Sequence, residues 1–180
     1  ADAERDIQKR ILLLVGALAA PKDGEGERAL SQLRLFGASA LRALEDALLG
    51  RPLTMPGETK AFTYWNGDPA WAARALAGIE APEATAALEA GLGSRDPTIR
   101  LAVVASLRHD RHRTLLERAT KDPVEEVRHG ALGRLTDGDD PDLVPLMKEA
   151  ALAGHEGATH WLVMRFPAVV LEVARLATLR

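Results

Sequence analysis

The sequence predicts an all-α protein, an α-solenoid of about five stacked antiparallel helix pairs behind one N-terminal helix. Three observations predict it. One phrase occurs twice: Asp96-Pro97-Thr98-Ile99-Arg100-Leu101-Ala102 is followed by Leu107, and Asp122-Pro123-Val124-Glu125-Glu126-Val127-Arg128-His129-Gly130 is followed by Leu135. With Arg100 laid on Arg128, the apolar residue before it, the small residue two after it and the Leu seven after it all coincide. The two Asp residues stand 26 positions apart, the length of one helical hairpin with its turns, and self-similarity at such a period marks a repeat architecture. Prolines and glycines then punctuate apolar runs at helical spacing, with Pro82, Pro141 and Pro167 each placed to open a helix. Finally, 47% of the 180 residues are hydrophobic but only 4% are aromatic, so the core must be built from Leu, Ala and Val.

Each position of the phrase has a physical reading. The Asp accepts from orphan N–H groups of the first helical turn, and Pro fits the first helical position. The apolar residue opens a buried stripe that the Leu closes two turns later, and the small residue lets a neighbouring helix approach. A weaker third copy, Asp68-Pro69-Ala70-Trp71 with Ile79, has Ala72 where the Arg should be. Asp68, Asp96 and Asp122 are thus all expected at helix starts. This pattern resembles the HEAT repeat, in the short bacterial variety of the phycobilin-lyase type, and the match covers most of residues 24–179. The resemblance implies an α-solenoid of stacked helix pairs. It implies little about activity, because scaffolds, nucleic-acid enzymes, lyases and hydroxylases share the fold.

The elements follow in order. In residues 1–20, Ile7, Ile11, Leu14, Val15 and Leu18 fall on one helical stripe, while Asp2, Glu4 and Asp6 cancel the positive start that a signal peptide needs. This stretch reads as a packing helix. A first pair is expected at 27–36 and 38–49, with Leu30, Leu33, Leu44 and Leu48 inward. Residues 50–67 break the rhythm with two prolines, three glycines and Asn66, and read as an irregular insertion. Further pairs follow at 68–80 and 82–92, 96–108 and 111–121, 122–135 and 140–152, and 155–165 and 167–179. The last helix has the wide apolar face of a cap whose other side, with Glu172 and Arg175, is polar. The chain reads as one domain, 1–180.

Composition narrows the function classes. Zero cysteines exclude a disulfide framework, thiolate ligands and a Cys nucleophile, which fits a cytoplasmic setting. A net charge of −3 gives no electrostatic case for nucleic acid or an acidic membrane surface. No apolar run approaches the ~20 residues of a membrane span.

Four constellations bear on chemistry. Arg100 and Arg128, at equivalent repeat positions, are expected to hold a neighbouring Asp or inter-helix carbonyls rather than a ligand. His109-Asp110-Arg111-His112 lacks the i,i+4 His pair of a helical metal site and reads as a solvated inter-helix loop. His155-Glu156 resembles one of the several His-Glu dipeptides with which HEAT-type hydroxylases hold iron. A single copy cannot complete that shell, so it reads as the first turn of a helix. In the HEAT resemblance the second helix of each pair lines the concave face. Its exposed residues here alternate in sign, from Arg42, Glu45 and Asp46 through Glu83 and Glu89, Arg113 and Arg118, to Lys148 and Glu149. That argues against a phosphate track.

No catalytic residue, cofactor or metal ligand emerges from these patterns. The expected function is a non-enzymatic protein–protein interaction scaffold. The alternative is a nucleic-acid-acting HEAT-like protein of the DNA glycosylase type, using the Arg108–Arg118 patch. The insertion carries Phe62, Tyr64 and Trp65 in a chain otherwise poor in aromatics, and Tyr and Trp are enriched at binding hot spots. Tyr64 and Trp65, with Arg113 and Arg118, are the expected contacts to a protein partner.

Overall fold

The computed structural model describes residues 2–19, 24–58, 60–138 and 140–177. They form two compact units, Ala1–Leu107 and Arg108–Arg180, and each has its own buried interior. The helical class holds in both, and a small two-stranded sheet is added in the first.

The N-terminal unit begins with α1 (Asp2–Leu18), which buries Ile11, Leu12, Val15 and Leu18. Its stripe packs on α2 (Glu25–Phe36), and a 3-10 turn at Gly37–Ala40 leads into α3 (Leu41–Leu48). After the sheet come α4 (Pro69–Ala77), α5 (Pro82–Leu92) and α6 (Pro97–Ser106). Helices α2, α4 and α6 touch in series, and α3 touches α5. Small residues make this closeness possible. A Cβ on Gly91 of α5 would lie 2.7 Å from Val103 Cγ2 and 2.9 Å from Leu48 Cδ2, so α5 sits against both α6 and α3 only because it has glycine there.

The stretch expected to be irregular is a β-hairpin. β1 (Pro52–Thr54) pairs antiparallel with β2 (Ala61–Tyr64), with Leu53 opposite Thr63 and a bulge before the pairing of Thr54 with Ala61. The prolines and glycines that suggest disorder of pattern lie at its start and in its loop, outside the paired residues, apart from Pro52 at the first strand position. Leu53 and Met55 are buried and anchor β1 on α3. The loop is tied back by an Arg5–Glu58 ion pair of 3.0 Å. Gly67 then lets the chain leave, since a Cβ there would sit 2.4 Å from the Ala19 Cα.

The C-terminal unit contains α7 (His109–Ala119), α8 (Glu125–Leu135), a 3-10 turn at Pro141–Leu143, α9 (Val144–Leu152), α10 (Glu156–Arg165) and α11 (Pro167–Ala177). Here α8 touches α10, and α9 touches both α10 and α11. Trp161 is buried, as its spacing with Ala158 and Leu162 implies, and its Nε1–H donates to the Gly138 carbonyl at 3.1 Å. α11 departs from the expectation of a polar outer side. Leu171 is 78% exposed beside Glu172, so its apolar face wraps further round the helix than the part that α9 and α10 cover.

The repeat itself needs one correction. Asp68 and Asp96 cap α4 and α6, each accepting from the N–H two residues on, at 2.9 and 2.8 Å. Asp122 does not cap α8; the cap position is Val124, in extended backbone with no side-chain bond. The helix starts therefore recur at 68, 96 and 124, every 28 residues, and Asp122 is the counterpart of Ser94. The hydrogen bonds agree. Ser94 Oγ accepts from the Asp96 N–H at 3.2 Å, and Asp122 Oδ1 accepts from the Val124 N–H at 2.9 Å. Matching the two Asp-Pro dipeptides misleads because both can open a turn, but only one opens the helix.

Candidate functional site

Arg100 and Arg128 do the same thing in their respective units. Arg100 Nη1–H donates to the carbonyls of Ser94 and Arg95, at 3.0 and 3.2 Å. Arg128 Nη1–H donates to those of Asp122 and Pro123, at 2.8 and 2.9 Å. Both guanidinium groups thus reach back six and five residues to hold the turn that precedes their own helix. This satisfies carbonyls that no helix or sheet ladder takes up. The role is structural, as the equivalent positions imply.

The four residues expected to contact a partner are placed as follows. Tyr64 ends β2 opposite Pro52, and its side chain lies outside the described residues. Trp65 is half-buried, with its ring against Gly67 and its Nε1 enclosed, so part of it is packing. The more open ring of the hairpin is Phe62, 38% exposed. Arg113 on α7 is engaged: Nε–H donates to Glu117 at 2.7 Å and Nη1–H to Asp140. Arg118 is exposed on the same helix. Tyr64 and Trp65 belong to the N-terminal unit, and Arg113 and Arg118 to the C-terminal unit.

The His109–His112 stretch is not a solvated loop. It is the first turn of α7, with a non-helical residue at His112 (φ −124°, ψ 25°). His112 is buried, and its Nδ1 accepts from the Arg108 N–H at 3.1 Å. Burial, with Arg111 nearby, holds its pKa below the ordinary histidine value. Arg108 meanwhile grips Asp110 through two bonds of 3.0 and 2.7 Å, which keeps that carboxyl below its usual range.

The C-terminal unit contains a cleft of about 290 Å³. Lys121, Glu125, Arg128 and His129 line one side, and Glu149, Ala150 and His155 the other. His155 is the N-cap of α10, with Nδ1 accepting from the Ala158 N–H at 3.1 Å. Glu156 therefore occupies the first helical position, where its charge suits the dipole. The His129 and His155 rings meet edge to face, with centroids 4.5 Å apart. Burial first, and then the His129 ring, hold His155 below the ordinary histidine pKa. His129 Nε2 stands 3.5 Å from Glu125 Oε1.

With Nδ1 committed to a backbone donor, neutral His155 carries its proton on Nε2, so it can donate a hydrogen bond but cannot act as a base there. Among the described residues, no group of three or more His, Asp or Glu side chains converges to hold a metal ion. Sequence spacing could not reveal this pair. His129 belongs to one helix and His155 to the cap of another, and only tertiary packing brings their rings together.

No family model, curated protein or solved structure matches the chain. No helix among the described residues is long and apolar enough to cross a membrane.

Proposed function

We propose that the chain is a HEAT-like α-solenoid acting as a non-enzymatic protein-interaction scaffold. The contacts support the stacking: alternate helices touch in series within each unit, α2 to α4 to α6 and α3 to α5 in one, α8 to α10 and α9 to α11 in the other. Stacked hairpins produce that alternation, because each first helix meets the next first helix.

One observation favours protein over nucleic acid as the partner. Several surface cations are joined to carboxylates rather than left open to phosphate. Arg51 pairs with Glu45 and Asp46 at 3.6 and 3.8 Å, Arg113 with Glu117 and Asp140, and Lys148 with Glu172 at 2.6 Å. A surface of alternating, already paired charge has little counterion atmosphere to displace from a polyanion. The hairpin offers the apolar complement, with Phe62 open to solvent and Tyr64 and Trp65 following it.

The test has two arms. The full chain is measured against heparin and duplex DNA at salt from about 50 to 200 mM. It is also used to capture partners from its host, in parallel with a Phe62→Ala/Tyr64→Ala variant of equal melting temperature. A protein partner held by the wild type and lost by the variant supports the reading. Tight, steeply salt-dependent duplex binding overturns it in favour of the nucleic-acid alternative.

A further inference from the structure

The cleft of the C-terminal unit holds two histidines in ring contact, and the helix cap that one of them makes holds only while that ring is neutral. His155 Nδ1 accepts from the Ala158 N–H at 3.1 Å and so caps the first turn of α10. An imidazole nitrogen accepts only when it bears no proton. Once protonated, Nδ1–H would face another N–H, and the cap would be lost.

Two further features act in the same direction. A cation at a helix N-terminus opposes the macrodipole. The His129 ring, with its centroid only 4.5 Å away, would also be a like charge if it too were protonated.

The other charged groups facing the pair come from every side of the cleft. Lys121 and Arg128 add positive charge, from the turn before α8 and from α8 itself. Glu125 of α8, Glu149 of α9 and Glu156 of α10 oppose it. Of these carboxylates, Glu125 stands 3.5 Å from His129 Nε2.

We propose that the His129–His155 pair is a proton-operated latch: neutral, it caps α10 and closes its first turn onto α8; protonated, it releases that turn and opens the cleft. The depressed titration of His155, caused first by burial and then by His129, is what such a latch requires, because the closed state then favours the neutral ring. The sign follows. A folded-state pKa below the unfolded value of about 6.5 gives the closed state its full stability above that value. That stability is lost as pH falls through the folded pKa.

The experiment is a pH series by NMR on the full chain, from about 8 to 5, which spans the ordinary titration range of histidine. It follows the tautomer and titration of each ring and the exchange protection of the Ala158 amide, corrected for the intrinsic rate. The expected result is an Nε2–H tautomer for neutral His155, titration below the ordinary value, and an Ala158 protection factor that falls about tenfold or more as that ring charges. His155→Asn, which caps without titrating, should keep Ala158 protection constant across the series. His129→Gln removes the neighbouring ring that helps to hold the His155 pKa down and should move the loss of protection to higher pH. If His155→Asn folds poorly, the wild-type titration and His129→Gln decide alone. The proposal is overturned by an Nδ1–H tautomer, by Ala158 protection that ignores pH in the wild type, or by a loss of protection that His129→Gln leaves in place.

Discussion

The turn before α6 and the turn before α8 are built on one plan and differ in two details. In both, an arginine reaches back to two carbonyls, a side chain at the start of the turn accepts from the N–H two residues on, and a buried Leu follows seven residues after the arginine. Before α6 the helix has Asp96 as cap and Pro97 at its first position; before α8 these places are held by Val124 and Glu125. The Asp-Pro dipeptide is therefore the variable part, and the arginine with its carbonyls is the constant one. The second difference is burial. Arg100 is only 8% exposed, whereas Arg128 is half-buried and lines the cleft, with His129 where the other turn has Leu101. One copy is sealed as structure. The other opens its polar side to a cavity.

The largest expected effect tests what the turns share. Leu107→Ala and Leu135→Ala each remove a fully buried side chain, and each should cost about 2–5 kcal/mol in denaturant unfolding. If either is neutral, the 28-residue register is wrong. Gly91→Ala comes next, at about 1–3 kcal/mol, because the added Cβ would crowd stiff Val103 as well as Leu48.

The caps test what differs. Asp96→Ala should cost about 1 kcal/mol, while Val124→Asp should gain about 0.5 kcal/mol by supplying a cap that α8 lacks. Glu125 and Glu126 at its side keep that gain small. A Val124→Asp variant that unfolds more easily would show that position 124 is not the counterpart of Asp96.

The smallest effect concerns acid. His112 and His155 each accept a backbone N–H and are each held below the ordinary histidine pKa. The unfolded chain binds more protons than the folded one between those depressed values and about 6.5, so stability is full above that window and declines as pH falls through it. The melting temperature should fall by roughly 2–4 °C on acidification through the window. A His112→Asn/His155→Asn double variant should lose most of that slope, as calorimetry would show.

Much of this architecture is legible in the sequence. Apolar stripes at helical spacing, with Pro and Gly at their ends, located the helices closely, and in the phrase Leu107, Val127 and Leu135 are buried while Ile99 is half-buried. The hairpin was hidden because its strands are only three and four residues long and the prolines and glycines around them dominate any local reading. The two-residue offset of Asp122 was hidden because an Asp that starts a turn and an Asp that caps a helix present the same letters. Of the expected contact residues, Arg113 proved to hold Asp140, a bond between residues 27 positions apart that no local pattern encodes. The His129–His155 pair was equally out of reach, since it exists only once α8 and the start of α10 are packed together.

The central claim is that one arginine-anchored turn is used twice. Side-by-side urea unfolding of Arg100→Lys and Arg128→Lys tests it most directly. Lysine keeps the charge, but it is shorter by one bond and lacks the planar Nη1 amino group that reaches both carbonyls. Both variants should unfold at lower urea than the wild type, by about 1.5–3 kcal/mol for buried Arg100 and less for the more exposed Arg128. Midpoints that match the wild type for both substitutions would contradict the account.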